Sequence, residues 1–335
     1  MAWLNAAIFV VILLSSASVL APYITEVFEE RRTWLSPLLL PVERAAYRLC
    51  GVDPQREMTW VEYALAALAV SLAGFAVLYV LLRMQAVLPL NPQHFSSLSP
   101  ELAWNTAISF ATTTDWQFYA GENTMSYLSQ MMGLAWQNFF AAATGLAAGI
   151  AVIRGFSRTG SSTLGNFWAD FIRGSLYVLL PLSVLFGLLF MWQGIPQNFS
   201  PYTTATSAEH FVQSITGGPM ASQEAIKLLG GNGGGFVAAN SASPNENPTG
   251  LSNLLELLAM FIIPAALPMV FGRMTGNPRA GRAILLAMFL LFGGAFVSAQ
   301  IAESAGNPLV HALGVQGGNM EGKEQRFAVG NAGLS

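Results

Sequence analysis

The sequence predicts an all-α integral membrane protein with six transmembrane helices and two shorter helices that enter the membrane and turn back. Three observations carry that prediction. Hydrophobic residues make up 53% of the 335 residues and charged residues only 10%, against about 25% charged in an average soluble domain. Uncharged runs of span length recur along the chain. The basic residues gather on alternate loops between them.

The elements follow in order. A span needs about 20 apolar residues, about 30 Å of helix. Segment one is Met1–Tyr23, with no charge before Glu26. It lacks a basic leader and is followed by Arg31 and Arg32. An uncleaved anchor with its N-terminus outside therefore fits better than a signal peptide, although Ser15–Ala21 holds the small residues of a cleavage site. Segment two is uncharged over Tyr63–Leu82, and segment three over Asn123–Ile153, most apolar from Met131. Segment four runs from Gly174 to Trp192. Segment five is Leu251–Gly272, with Glu256 inside it, and segment six is Ala283–Ala302. Pro264 and Pro268 are expected to kink segment five, which membrane helices tolerate. Trp3, Trp60, Tyr63 and Trp192 fit interface anchors.

With the N-terminus outside, the inside loops are 24–62, 154–173 and 273–282. They hold Arg31, Arg32, Arg44, Arg48 and Arg56; Arg154, Arg158 and Arg173; and Arg273, Arg279 and Arg282. Eleven of the fifteen basic residues thus fall on one side, as the positive-inside rule requires. A net charge of −3 with no basic stripe excludes a nucleic-acid partner. The single cysteine, Cys50, makes no disulfide or redox pair and reads as inert. His94, His210 and His311 lie too far apart for a metal motif and read as peripheral.

Two outside loops carry more structure than a connection needs. After segment two, Ser99, Pro100 and Glu101 supply an N-cap, a first position and an acidic first turn. About ten mostly apolar residues follow, half a membrane in length. They stop at Thr112-Thr-Thr-Asp-Trp-Gln117. After segment four, Ala221–Leu229 repeats the plan, with Ser222 as the expected N-cap and Glu224 in the first turn. It stops at Gly230-Gly-Asn-Gly-Gly-Gly235. Asn245–Gly250 reads as a turn and cap before segment five.

The spacing supports an internal repeat. Segments two and four start about 111 residues apart, and four and six about 109; Thr114 and Asn232 differ by 118. A third short helix is expected from Glu321. The expected organisation is an anchor and cytoplasmic loop over 1–61 and a first span–pore–span repeat over 62–153. A second repeat covers 154–272, and a third begins over 273–335 and is cut short.

This arrangement suits a cation. Non-helical backbone survives at membrane depth only if buried in protein or lining a wet cavity. A half-helix entering from outside aims its negative C-terminal end at the membrane centre. Carbonyls of the following turn can replace the hydration shell of K⁺. The glycines at 233–235 permit the necessary angles, and Thr112–Thr114 add hydroxyls and β-branched stiffness. Asp115 either adds local negative charge or bonds backbone donors behind the filter. Alone, a Gly-rich run is a flexible turn and a Thr-rich one an ordinary loop. Their recurrence after capped half-helices is what favours a site. No Gly-Lys-[Ser/Thr] follows the glycines, so they are no phosphate loop.

Specific motifs reinforce this. They include Asn91-Pro-Gln93, Ser109-Phe-Ala-Thr-Thr-Thr-Asp-Trp-Gln117, Tyr119-Ala-Gly-Glu122, Ser129-Gln-Met131, Gln137-Asn-Phe139 and Ser162-Thr-Leu-Gly-Asn166. Further along come Gly218-Pro-Met-Ala-Ser-Gln-Glu-Ala-Ile-Lys227, Gly231-Asn-Gly-Gly-Gly-Phe236, Ala239-Asn-Ser241, Glu246-Asn-Pro248, Gly306-Asn-Pro308 and Asn319-Met-Glu-Gly-Lys-Glu324. Over essentially the whole chain the sequence resembles the KdpA family, potassium-binding subunits of the bacterial Kdp potassium-transporting ATPase. The resemblance implies potassium-channel-like repeats, four in a longer protein of ten spans, with this chain stopping within the third pore helix. It maps one filter strand onto Thr112, Thr113, Thr114 and Asp115, with Gln117 just behind, and a second onto Gly231, Asn232 and Gly233. Family members often carry Asn where this chain has Thr113.

It further implies a bacterial plasma (inner) membrane location and potassium as the transported ion, with no organic cofactor. The implied partners are a separate P-type pump subunit (KdpB-like) that hydrolyses ATP, accessory KdpC-like and KdpF-like subunits, and membrane lipid. This chain would be the non-hydrolytic subunit, since it has no Asp-Lys-Thr-Gly phosphorylation motif. The competing expectations are a stand-alone channel-like or ion-coupled potassium transporter of the same superfamily, and a membrane scaffold with no ion path.

Overall fold

In a computed structural model of the chain, the described residues are 2–158, 160–314, 317–320 and 322–327. The elements in chain order are α1 (Ala2–Phe28), α2 (Ser36–Cys50), α3 (Trp60–Met84), α4 (Pro100–Ala111), α5 (Gly121–Thr124), α6 (Trp136–Ser157), α7 (Phe167–Arg173) and α8 (Leu180–Trp192). There follow β1 (Thr203–Thr206), β2 (Val212–Ile215), α9 (Met220–Gly230), α10 (Gly250–Met274), α11 (Pro278–Ala305), α12 (Pro308–His311) and α13 (Glu324–Phe327). Six of the described helical stretches are long and apolar enough to cross a membrane, so the chain is a multi-pass helical protein. They overlap the six expected segments, with shifted ends: the third starts later, at Ser129, and the sixth runs on to His311.

Two stretches are π-helical, Ser129–Ala135 leading into α6 and Gly174–Leu179 joining α7 to α8. The antiparallel hairpin of β1 and β2, with Thr203 opposite Ile215, was unforeseen. Of the expected third short helix, Glu324–Phe327 is helical. Glu321 and residues 328–335 lie outside the described residues.

The chain divides into two compact units, Met1–Thr25 with Asn253–Ser335, and Glu26–Ser252. In the first, Trp3 meets Phe296 edge-on at 5.5 Å, and Phe261 meets Phe292 at 5.4 Å. Helix α10 continues through Pro264 and Pro268. Glu256 is buried.

The second unit gathers its connections at two ends. At one end, Met58 N donates to Gly165 O at 2.7 Å. Asn166 Nδ2 donates to the carbonyls of Asp53 and Arg56 at 3.0 and 2.9 Å. Arg154 pairs with the buried Asp170, Nη2 to Oδ1 at 2.9 Å. Arg173 binds Glu43 at 2.8 Å and Glu30 at 2.7 Å. The Glu43 carboxylate also accepts from Tyr47 and Tyr177, each at 2.7 Å, which ties α2 to the π-helical stretch after α7. Burial pushes the Glu43 carboxyl up, but the bonds from Tyr47, Tyr177 and Arg173 outweigh it and leave it below the usual carboxylate range. Apart from Tyr177, these are residues of the two Arg-rich loops, 24–62 and 154–173.

At the other end, Tyr127 donates to Ser200 O at 2.6 Å, and Gln197 bridges to Pro219. Loops of the same expected parity therefore meet each other.

Tyr63 departs from expectation. It is no interface anchor but is 4% exposed, its hydroxyl bonded to Asp170 Oδ2 at 3.0 Å. Trp3, Trp60 and Trp192 are exposed. The three histidines and Cys50 are exposed as well.

Candidate ion site

The first short helix forms where the sequence placed it. Ser99 Oγ accepts from Leu102 N at 3.2 Å, and Pro100 opens α4. Apolar residues of α4 then pack back along α3: Leu98, Ala103, Ala107 and Phe110 are buried with Leu78 and Leu82. Trp104 meets Phe75 edge-on at 4.9 Å. Gln85, at the end of α3, holds both limbs of this excursion. Its Nε2 donates to Ser96 O and Thr124 O, each at 2.8 Å. The chain thus leaves Gln85, descends along α3, turns, and returns to Gln85.

The second excursion has the same form. Pro196 O accepts from Met220 N and Ala221 N, at 3.1 and 3.0 Å, where α9 begins. Gln193, just after α8, then accepts from Thr249 Oγ1 at 2.6 Å, one residue before α10. Ser222 is not the N-cap. The helix starts two residues earlier, with Pro219 at the cap and no side-chain capping bond. Ser222 instead bonds Gln197 through its backbone N at 3.0 Å. Glu224 accordingly lies beyond the first turn, and it is fully buried.

The two turns share one backbone bond and two positive-φ positions at the expected offset of 118. Thr114 N donates to Ser109 O at 3.0 Å, and Asn232 N donates to Lys227 O at 3.1 Å. Thr113 and Asp115 have φ of 55° and 53°; Gly231 and Gly233 have φ of 62° and 94°. Alternate residues in the left-handed region turn successive carbonyls toward a common side. Glycine adopts that region without strain, whereas Thr113 and Asp115 are held there against a steric cost.

The structure brings the two candidate strands together. Gln117 Nε2 donates across to Gly235 O at 2.8 Å and to Tyr119 Oη at 3.1 Å. An ideal Cβ on Gly234 would lie 3.5 Å from Asp115 Cβ. Gln130, in the π-helical stretch, donates to Phe236 O at 2.8 Å. The hydroxyls of Thr112 and Thr113 turn back on their own backbone, to Ile108 O at 2.9 Å and Thr112 O at 2.6 Å. Thr112–Thr114 and Gly231 are exposed, Gly233 is half-buried, and Asp115 and Asn232 are buried. Neither carboxylate oxygen of Asp115, and neither amide atom of Asn232, finds a hydrogen-bond partner among the described residues. Of the two roles open to Asp115, bonding to backbone donors is not made among the described residues.

Sequence reasoning gave no role to Lys227, Gln130, Asn240 or Glu246, which brace the second turn. Their only signal was membership in the quoted motifs. Among the described residues no cluster of His, Cys, Asp or Glu is arranged to hold a metal ion.

Six long apolar helices, with the two short helices α4 and α9 between them, define a multi-pass helical membrane protein. A family model described as KdpA, potassium-transporting ATPase A subunit, matches residues 7–334. A Rhizobium rhizogenes protein named potassium-transporting ATPase potassium-binding subunit is 54% identical over 327 residues, covering 98% of this chain and 58% of the relative. Proteins of the same name from Methylorubrum extorquens and Mesorhizobium japonicum are 51% and 52% identical over 332 residues. Each match covers 99% of this chain, and 58% and 59% of those relatives. The chain belongs to the KdpA family, and it spans under three-fifths of the length of these relatives.

Proposed function

We propose that this chain binds extracytoplasmic potassium in a selectivity filter and passes it to the pump subunit of an ATP-driven potassium import complex. The matched turns carry the reading. Two strands 118 residues apart share a backbone bond, Thr114 N to Ser109 O and Asn232 N to Lys227 O, and positive φ at two matching positions, and they touch through Gln117. On this reading the excursions from Gln85 and Gln193 are re-entrant pore loops of successive repeats, with boundaries near 62–153 and 154–272 and a third repeat beginning at 273. Backbone carbonyls of Thr112–Asp115 and Gly231–Gly233 face the ion, and Gln117 ties the strands together. The transported ion is potassium, no organic cofactor takes part, and ATP is hydrolysed by a P-type partner. The N-terminus lies outside a bacterial inner membrane.

The test uses the complete potassium-binding subunit with its pump and accessory subunits. Gly233→Asp places a carboxylate among the carbonyls, at a φ that strains any side chain. Weakened potassium affinity or relaxed ion selectivity of the ATPase is expected. Unchanged potassium-dependent growth and unchanged selectivity would refute the filter.

A further inference from the structure

The second turn is braced from behind by buried charge, and the first is not. Lys227 Nζ lies 2.9 Å from Glu224 Oε2 and donates to Gly234 O at 2.9 Å. Ser241 Oγ donates to the same Glu224 oxygen at 2.9 Å. The Lys227 and Glu224 side chains are 1% and 0% exposed. The other side of the same residue is also fixed, since Gly234 N donates to Asn240 Oδ1 at 3.1 Å. An ideal Cβ on Gly235 would lie 2.9 Å from Lys227 Nζ and 2.8 Å from Glu246 Oε1, so the turn lies directly on this cluster. Glu246 Oε1 in turn accepts from Val237 N at 3.0 Å. At the positions 118 residues earlier stand Ser109 and Thr106, buried and neutral, with hydroxyls that find no partner among the described residues.

A buried ion pair is a poor source of stability, because desolvation offsets its attraction. Its geometry here has a more specific effect. Residues 233–235 are three consecutive glycines, whose peptides rotate at little cost. An ammonium with a fixed position selects one orientation of the Gly234 carbonyl, and a charge-assisted bond makes that selection strong. Glu224 balances the ammonium, so the selecting charge does not repel a cation nearby.

We propose that Lys227 is a positioning residue for ion selectivity: it holds the Gly234 carbonyl inside the protein, so that the row of carbonyls open to the ion on this strand ends at Gly233. The proposal rests on the filter reading above. It makes the two strands unequal, one pinned by charge and the other by neutral contacts.

The experiment measures, in the purified complete complex, the K⁺ and Rb⁺ concentrations giving half-maximal ATPase activity, together with the maximal rate. Three variants are compared: Lys227→Met, Lys227→Arg, and Lys227→Met with Glu224→Gln, which removes both charges of the pair. For Lys227→Met and the double variant we expect half-saturation by K⁺ to rise about tenfold, the effect of one charge-assisted bond, and discrimination against Rb⁺ to fall with it. Lys227→Arg should restore discrimination. A double variant that assembles with wild-type half-saturation and wild-type K⁺ preference overturns the proposal. So does loss of assembly in both Met variants, which would make Lys227 a residue of folding alone. If the wild-type complex shows no preference for K⁺, it is the filter reading that fails.

Discussion

At the scale of single residues, the site is a matter of carbonyls that must not be left unpaired. Phe236 O and Gly235 O are each met by a glutamine amide, from Gln130 and Gln117. Gln130→Leu keeps the volume and removes the donor from a buried carbonyl. It should cost about 1–3 kcal/mol, seen as a lower melting temperature of the complete subunit in detergent. An unchanged melting temperature would mean that the carbonyl finds another donor. Gly121 is constrained by approach rather than by φ. An ideal Cβ there would sit 1.8 Å from Phe236 O, a backbone atom that cannot swing aside. Gly121→Ala should therefore separate the first excursion from the second turn, with a larger loss of thermal stability than Gln130→Leu.

At the scale of elements, α4 and α2 show two ways of fixing a helix. Helix α4 is set locally, by the Ser99 cap and by Pro100. Ser99→Ala should cost about 1 kcal/mol and loosen the start of the excursion, which faster hydrogen exchange over the first turn of α4 would reveal. Helix α2 is set at long range, by Glu43 reaching Arg173 and Tyr177 about 130 residues away. Because its partners hold the Glu43 carboxyl below its ordinary value, this stabilisation is complete above that value and is lost as the pH falls below it, near and under pH 4. Exchange over Ser36–Cys50 should therefore rise at acid pH relative to the rest of the second unit. Glu43→Gln should show the same rise at neutral pH. Exchange that stays uniform in both cases would show that α2 is held by its apolar contacts alone.

At the scale of the whole molecule, the testable quantity is orientation. The two Arg-rich loops of the second unit meet at one end through Asn166 and Met58. Cys50 belongs to that end, is exposed, and is the sole cysteine of the chain. With the N-terminus outside, a membrane-impermeant maleimide should label it only after the cells are opened. A cysteine placed at the exposed His94, in a Cys50→Ser background, should label from outside. The reverse pattern would invert the topology and put the turns on the wrong side to receive external potassium.

Much of this was legible in the sequence because it is local. Hydropathy sums along the chain, so all six spans are visible without a fold. Capping is local as well, which is why Ser99 was recoverable. Ser222 was not: a better capping residue lost to a proline three residues upstream, because backbone pairing to Pro196 set where α9 begins. Tyr63 looked like an anchor at a span end, and only its meeting with Asp170, 107 residues away, buried it. The spacing of 118 and the composition of the two turns announced a pair of related turns. That the turns touch, and that two glutamines hold carbonyls of the second, was decided by tertiary structure alone. Such contacts join residues up to 118 positions apart, and no local pattern records which buried carbonyl a distant donor will reach.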